Sequence, residues 1–332
     1  MIKNYLSMLA ILFIWEVAAQ DTFSIVAADS SSREVGGAGA SCVDLTNFGL
    51  KADFLSDLIP NKGAINTQSY YDANNQINAR NRMLAGDSPS QIINWLVDND
   101  KGFDPTIRQY GIVGFTNTAT EAAAYTGSNC LDVKYHKTGK KNGFTYSIQG
   151  NILIGAQVID SMEARFNATS GDLRCKLMAA LQGAKIVGAD SRCEPLGTSS
   201  LFSFLKVSKP SDAYGKPYFS IGVIGSEANA FEPIDSLQKL FNQVVNCGTT
   251  STTSLENSGV KLTPNPFSDE LHIELADAKP WHFQFMNTVG QRISSGTIQQ
   301  STTIDTKGMQ AGFCCIILTN GSQTVTQKLV KQ

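Results

Sequence analysis

Thr22-Phe23-Ser24-Ile25-Val26-Ala27-Ala28-Asp29 and Glu34-Val35-Gly36-Gly37-Ala38-Gly39-Ala40-Ser41-Cys42-Val43 decide the fold. The first alternates like a strand, and the Asp29-to-Arg33 stretch that follows carries turn chemistry. The second run reads as an extended strand almost without side chains. Small residues at Gly36, Gly37, Gly39 and Ala40 predict that another backbone or layer packs closely against it. A phosphate-binding loop would follow a strand and open a helix, whereas this run is itself extended and ends in strand-like Ser41-Cys42-Val43.

Helical and strand patterns follow in groups. Asn74 to Ala85 carries apolar residues at Ile77, Met83 and Leu84, and Asp87-Ser88-Pro89 caps a second helix through Gln91 to Val97. Arg108 to Phe115 and Glu121 to Thr126 read as a hairpin, and Phe144 to Gly150 as another strand. Helices are expected through Val158, Met162 and Phe166, over Gly171 to Leu181, and over Ile234 to Val245. Ser199 to Val207 and Tyr218 to Ile224 close the set as strands. Strands in pairs and helices in pairs point to layered α and β rather than to a βαβ wheel.

The N-terminus has the form of a leader. Lys3 precedes the apolar run Leu6 to Trp15, and Val17-Ala18-Ala19 offers small residues for cleavage, so residues 1–19 are expected to be removed. A spanning helix needs roughly 20 apolar residues, more than this run has, and no later stretch suffices. Net charge is −2 with or without the leader, because Lys3 and Glu16 cancel. Nothing suggests a nucleic-acid partner; the densest basic cluster, Lys134 to Lys141, reads as a solvated hairpin tip. Seven cysteines suit an oxidising compartment, and the odd count leaves at least one outside an intrachain pair. Without a C-x-x-C pair, and with His136 the single histidine before residue 248, neither a metal nor another cofactor is expected.

Cys247 to Ser258 is small, polar and aperiodic, so residues 248–258 read as a linker. Beyond it, Pro264-Asn265-Pro266-Phe267 precedes an alternating strand, Val289-Gly290-Gln291 marks a turn, Ala311-Gly312 precedes a short apolar strand, and QKLVKQ ends the chain. In that order these features resemble the type A sorting domain of the type IX secretion system, over residues 259–332. The resemblance implies a small all-β sandwich, the type IX machinery as partner, and a destination in the medium or on the outer-membrane surface of a Gram-negative bacterium.

A second resemblance covers residues 20–247. TFSIVAAD, GGAGASC, GAINTQSYYD (Gly63 to Asp72), LAGDSP (Leu84 to Pro89), DND (Asp98 to Asp100), RQYGIV, YTGSNC (Tyr125 to Cys130), IQGNIL (Ile148 to Leu153) and GADSR (Gly188 to Arg192) are similar, in order, to the family called domain of unknown function 1028. That family looks like the N-terminal-nucleophile hydrolases. The implied fold is α+β, a four-layer αββα sandwich, and the implied activity is hydrolysis of an amide, peptide or glycan-linked substrate. In such enzymes the first residue attacks and its own α-amine, with a pKa near 8, is the base. Thr22 is the one residue placed for that role.

Cleavage after Ala19 leaves Gln20 and Asp21 ahead of Thr22, and an acylated nitrogen is no base, so catalysis requires further trimming. A non-catalytic surface protein that binds through the same scaffold is the alternative. Gln149, Gly150 and Asn151 suit either an oxyanion or substrate amide, or a self-satisfied turn. Asp190 and Arg192 either orient the nucleophile and bind a carboxylate, or form an ordinary ion pair between helix and strand. Ser41 and Gln68 are placed in the same cleft, and Cys42 is expected to be buried or disulfide-bonded. Ile221 to Pro233 lacks the charged Asp and His of the family's usual strand end, retaining only Glu227 and Glu232.

Overall fold

β1 (Phe23–Asp29) and β2 (Val35–Ser41) form an antiparallel hairpin in which every residue is buried. In the computed structural model the described residues are 23–116, 119–131, 133–247, 259–276, 279–287, 291–320 and 324–332. The leader, Thr22, the linker and part of the Val289-Gly290-Gln291 turn lie outside the described residues. The chain divides after Cys247 into two compact units.

The remaining strands of the first unit are β3 (Ser56–Ile59), β4 (Gly63–Ser69), β5 (Arg108–Phe115), β6 (Thr120–Thr126), β7 (Tyr135–Lys141), β8 (Phe144–Gly150), β9 (Phe202–Ser208) and β10 (Phe219–Ile224). They build two antiparallel sheets, β10-β9-β2-β1-β8-β7 and β3-β4-β5-β6. Side chains alternate across a strand, so β1 serves two layers. Phe23, Ile25 and Ala27 enter the core shared with α3 (Gln157–Ala168), α4 (Leu173–Gly183) and α5 (Pro233–Val244). Val26 and Ala28 meet Leu58, Ala64 and Val113 of the other sheet. That second sheet packs its far face, through Ile65 and Ile112, on α1 (Ala73–Ala85) and α2 (Pro89–Asp98).

The glycines of β2 explain the closeness of the layers. A Cβ on Gly36 would meet Leu177 of α4 at 2.6 Å, and one on Gly37 would collide with Ser56 of β3. One strand thus accepts a helix on one face and a sheet on the other.

Helix boundaries follow the local chemistry. Asp72 accepts from Asn74 N and Asn75 N to start α1, which ends at left-handed Gly86. Ser88 and Gln91 form a reciprocal capping box with Pro89 at the first turn of α2. Two findings differ from the sequence reading. Tyr135–Lys141 is an edge strand rather than a hairpin tip, with Lys137 paired to Asp160 and Glu163 and with Lys140 and Lys141 exposed, and charge on an edge strand discourages further pairing. The β3–β4 hairpin was not legible as strands, because its polar Asn66, Thr67, Gln68 and Ser69 are nonetheless buried.

The second unit is all β, with sheets β11-β12-β15 and β14-β13-β16-β17. These comprise Val260–Thr263, Glu270–Leu275, Trp281–Asn287, Arg292–Ile298, Thr302–Asp305, Gly312–Thr319 and Thr324–Lys331, numbered β11 to β17 in chain order. Leu271, Ile273, Trp281, Phe285, Ile316 and Leu318 fill its core.

Candidate functional site

The sheet–sheet interface is apolar at one end and polar at the other. Ser24 of β1 stands opposite Gln149 of β8, and Gln68 of β4 opposite Gln109 of β5, so each sheet brings a polar pair. All four side chains are essentially without solvent contact. Gln109 Nε2 lies 2.9 Å from the carbonyl oxygen of Gly150, which can only accept, and this fixes which end of the amide is nitrogen. Gln109 Oε1 then accepts from Gln68 Nε2 at 2.7 Å and from Asn151 Nδ2 at 2.9 Å. Gln68 Oε1 accepts from Ser24 Oγ at 2.5 Å, and Ser24 Oγ accepts from Gln149 Nε2 at 2.7 Å. Ser147 Oγ closes the run by donating to Gln149 Oε1 at 2.9 Å.

Direction along this chain has chemical consequences. The Ser24 proton points at an amide carbonyl, which is no base, so Ser24 is a structural hydroxyl and not a nucleophile. Gln68 is likewise occupied in joining the sheets through Ser24, and Gln149 is held within its own sheet by Ser24 and Ser147. Gln109 Nε2 also reaches Thr126 Oγ1 at 2.9 Å, and Thr126 Oγ1 is 2.8 Å from His136 Nδ1. Desolvation holds the His136 imidazole below its ordinary pKa, consistent with a ring that accepts from Thr126.

The second cluster lies where the chain enters β1. Phe23 is opposite Ala40 on one side and Gly150 on the other. Ser41 and Asn151 stand one residue beyond those partners and therefore flank that point. Next to them, Asp190 is fully buried. Its carboxylate accepts from Cys42 N at 2.8 Å and takes a two-pronged contact from Arg192, Nε to Oδ1 at 3.0 Å and Nη2 to Oδ2 at 2.7 Å. Arg192 Nη2 also reaches Ser41 Oγ at 3.5 Å, and one third of its side chain remains exposed. The ion pair is local, made within the loop that opens the 3-10 turn Ser191–Leu196, and not between helix and strand. A Cys42–Cys193 disulfide ties the same loop to the end of β2.

Two features make this end of the sheet unusual. Ile152, directly after Asn151, has φ +51°, a left-handed conformation that is costly for a β-branched residue and is associated with functional loops. Asn151 Oδ1 is buried without a hydrogen-bond partner among the described residues, which costs about 1–3 kcal/mol for a polar atom. The structure thus gathers Ser41, Asn151, Asp190 and Arg192, with Gly150 adjoining through its carbonyl. It places Gln68 and Gln149 one layer behind them, joined through Gln109. Thr22 lies outside the described residues.

Ser24 and Gln109 were missed by sequence reasoning. Their signal is a polar residue on the inward face of an otherwise apolar strand, in β1 and again in β5. Glu232 has a different task. Its carboxylate caps α5 through Ile234 N at 3.1 Å and binds Ser199 N at 2.8 Å and Ser199 Oγ at 2.7 Å, so it braces the Asp190 loop from behind.

Residues 22–223 match the model of a family described as "Family of unknown function (DUF1028)". The chain belongs to this family. Residues 261–332 match the secretion system C-terminal sorting domain, a tail that directs proteins through the type IX system to the cell surface or the medium. A crystal structure of the DUF1028 protein SPO2555 from Silicibacter pomeroyi is similar, with TM-score 0.52 and 21% identity over 68% of this chain and 90% of that one. None of the curated proteins matches the chain. Among the described residues no helix of this DUF1028 protein is long and apolar enough to cross a membrane.

Proposed function

We propose that the chain is an exported amide hydrolase of the N-terminal-nucleophile type, acting on a peptide, amide or glycan-linked substrate once Gln20 and Asp21 are removed. The observation that carries this reading is the position of Ser41, Asn151 and the Asp190–Arg192 pair around the point where the chain enters β1. The helix–sheet–sheet–helix layering supports it. A freed Thr22, next in sequence ahead of Phe23, would supply its hydroxyl as nucleophile and its amine as the base.

The surrounding groups suit that chemistry. Asn151 Oδ1, buried without a partner among the described residues, is an acceptor for an ammonium or for a substrate N–H. Arg192, held rigid by Asp190, presents positive charge beside Ser41, where an oxyanion or a substrate carboxylate would be stabilised. The amide network behind them keeps the end of β8 from shifting.

A non-catalytic binding protein is the second reading, favoured by the two residues ahead of Thr22 and by Glu232, one of the two acids of the last strand end, being taken up by Ser199 and α5. N-terminal mass spectrometry of protein from the secreting cell decides between them. A terminus at Thr22, with turnover of amide substrates abolished by Thr22→Ala, is the outcome expected. A terminus at Gln20 or Asp21 as the sole species excludes the amine mechanism.

A further inference from the structure

We propose that the outer edge of β3 binds a short extended polypeptide segment in the groove beside it, through the main-chain N–H and carbonyl of Leu58. β3 is the outermost strand of that sheet. Ser56 pairs with Asn66 and Asp57 with Ile65, while Thr67 N donates to Leu55 O at 2.9 Å. Antiparallel ladders alternate between bonded and non-bonded pairs. Asp57 and Ile59 therefore turn their main-chain groups toward β4, and Ser56 and Leu58 turn theirs outward.

The outward groups of Ser56 are used. Its N–H donates to Asp53 O at 3.0 Å and its carbonyl accepts from Lys206 Nζ at 2.5 Å. The N–H and carbonyl of Leu58 have no partner outside the strand pairing among the described residues. They face a groove of 430 Å³ walled by Leu50, Phe54 and Pro217, with Lys206, Tyr214 and Lys51 around it. That volume falls within the roughly 300–1,000 Å³ of small-ligand pockets.

Sheet edges are commonly guarded by lone charges; beside this one Lys206 and Arg80 are neutralised in pairs, and Lys51 stands apart at the rim. Lys206 Nζ lies 2.9 Å from Asp53 Oδ2, and Arg80 Nη1 lies 2.9 Å from Asp57 Oδ2. Tyr214 closes the outer wall by donating to Asp57 Oδ1 at 3.0 Å. Lys51 is exposed at the rim with no ion pair among the described residues. The occupant that fits is a short extended segment whose main chain bonds to Leu58, with an apolar side chain toward Leu50 and Phe54 and a carboxylate near Lys51. None of this depends on the chemistry at Thr22.

The test is selection of displayed random heptapeptides on the mature chain, followed by an N-methyl scan of the selected peptide. N-methylation at the one peptide residue facing Leu58 is expected to weaken binding about tenfold, the value of one lost hydrogen bond near 1.4 kcal/mol, with little effect elsewhere. Hydrogen exchange should show the Leu58 amide protected only with peptide. Leu58→Pro removes an outward donor without touching the ladder and should abolish binding. Because that change also removes a buried side chain, Lys51→Glu is the second variant, and it should weaken acidic peptides several-fold in a folded protein. A scan without a single sensitive position, a Leu58 amide unaffected by peptide, or no selection above the Leu58→Pro control overturns the proposal. So does a dimer that protects β3 without any peptide.

Discussion

Asp190 takes four hydrogen bonds on its two carboxylate oxygens, one from Cys42 N and three from Arg192, while contributing nothing to the surface. Removing the carboxylate leaves the Cys42 N–H without its acceptor and the half-buried Arg192 without its pair, at a cost of about 1–3 kcal/mol. Asp190→Ala is therefore expected to lower the urea midpoint well beyond what a surface substitution does, and an unchanged midpoint would mean the pair is ornamental. Asp100 offers a pH-dependent case. Burial pushes its carboxyl up, but Arg108 at 2.8 Å, the Asp104 N–H and Asn75 outweigh that and hold its pKa below the usual range. A depressed folded-state pKa contributes stability that is complete above the unfolded value, near 3.9, and is lost as pH falls through the folded one. Asp100→Asn should thus cost stability at neutral pH and flatten the acid limb of the stability curve below about pH 4. Urea titrations at pH 7 and pH 3 measure both effects, and parallel curves for the two proteins would contradict them.

At the scale of elements, the amide network depends on β5 and β8 approaching closely. A Cβ on Gly111 would run into the Gln149 carboxamide, so Gly111→Ala is expected to cost about 1–3 kcal/mol by overpacking. A thermal melt at the wild-type temperature would refute that. The same network shows where sequence reading reached its limit. The hairpin of β1 and β2 was legible from alternation and small residues, and α2 from Ser88, Pro89 and Gln91. β4 was not, because Asn66, Thr67, Gln68 and Ser69 look like a loop until the opposite sheet supplies their burial. Of the site, Ser41, Asn151, Asp190 and Arg192 were named by resemblance, but their gathering rests on the β1 register and on a left-handed Ile152 that no local pattern announces. The lysines of β7 misled for the opposite reason, since an exposed edge strand carries the composition of a turn.

For the whole molecule, two disulfides close long loops, Cys42–Cys193 across 151 residues and Cys175–Cys247 across 72. Chain-entropy arguments assign about 4–5 kcal/mol to each. Cys175→Ser with Cys247→Ser is expected to lower the unfolding free energy of the first unit by most of that amount, with secondary structure unchanged by circular dichroism. Equal urea midpoints with and without the bond would argue that α5 holds itself in place.

The position of that second bond has a mechanical meaning. Cys247 is the final residue of the first unit, and everything between it and Cys175 of α4, including β9, β10 and α5, is bypassed by the covalent link. Tension applied to the tail from beyond Cys247 is delivered straight to a helix wedged against the central sheet. α5, whose contacts would give way one turn at a time if it were drawn from its end, carries none of the load. The cargo is towed by its frame and not by its loosest thread.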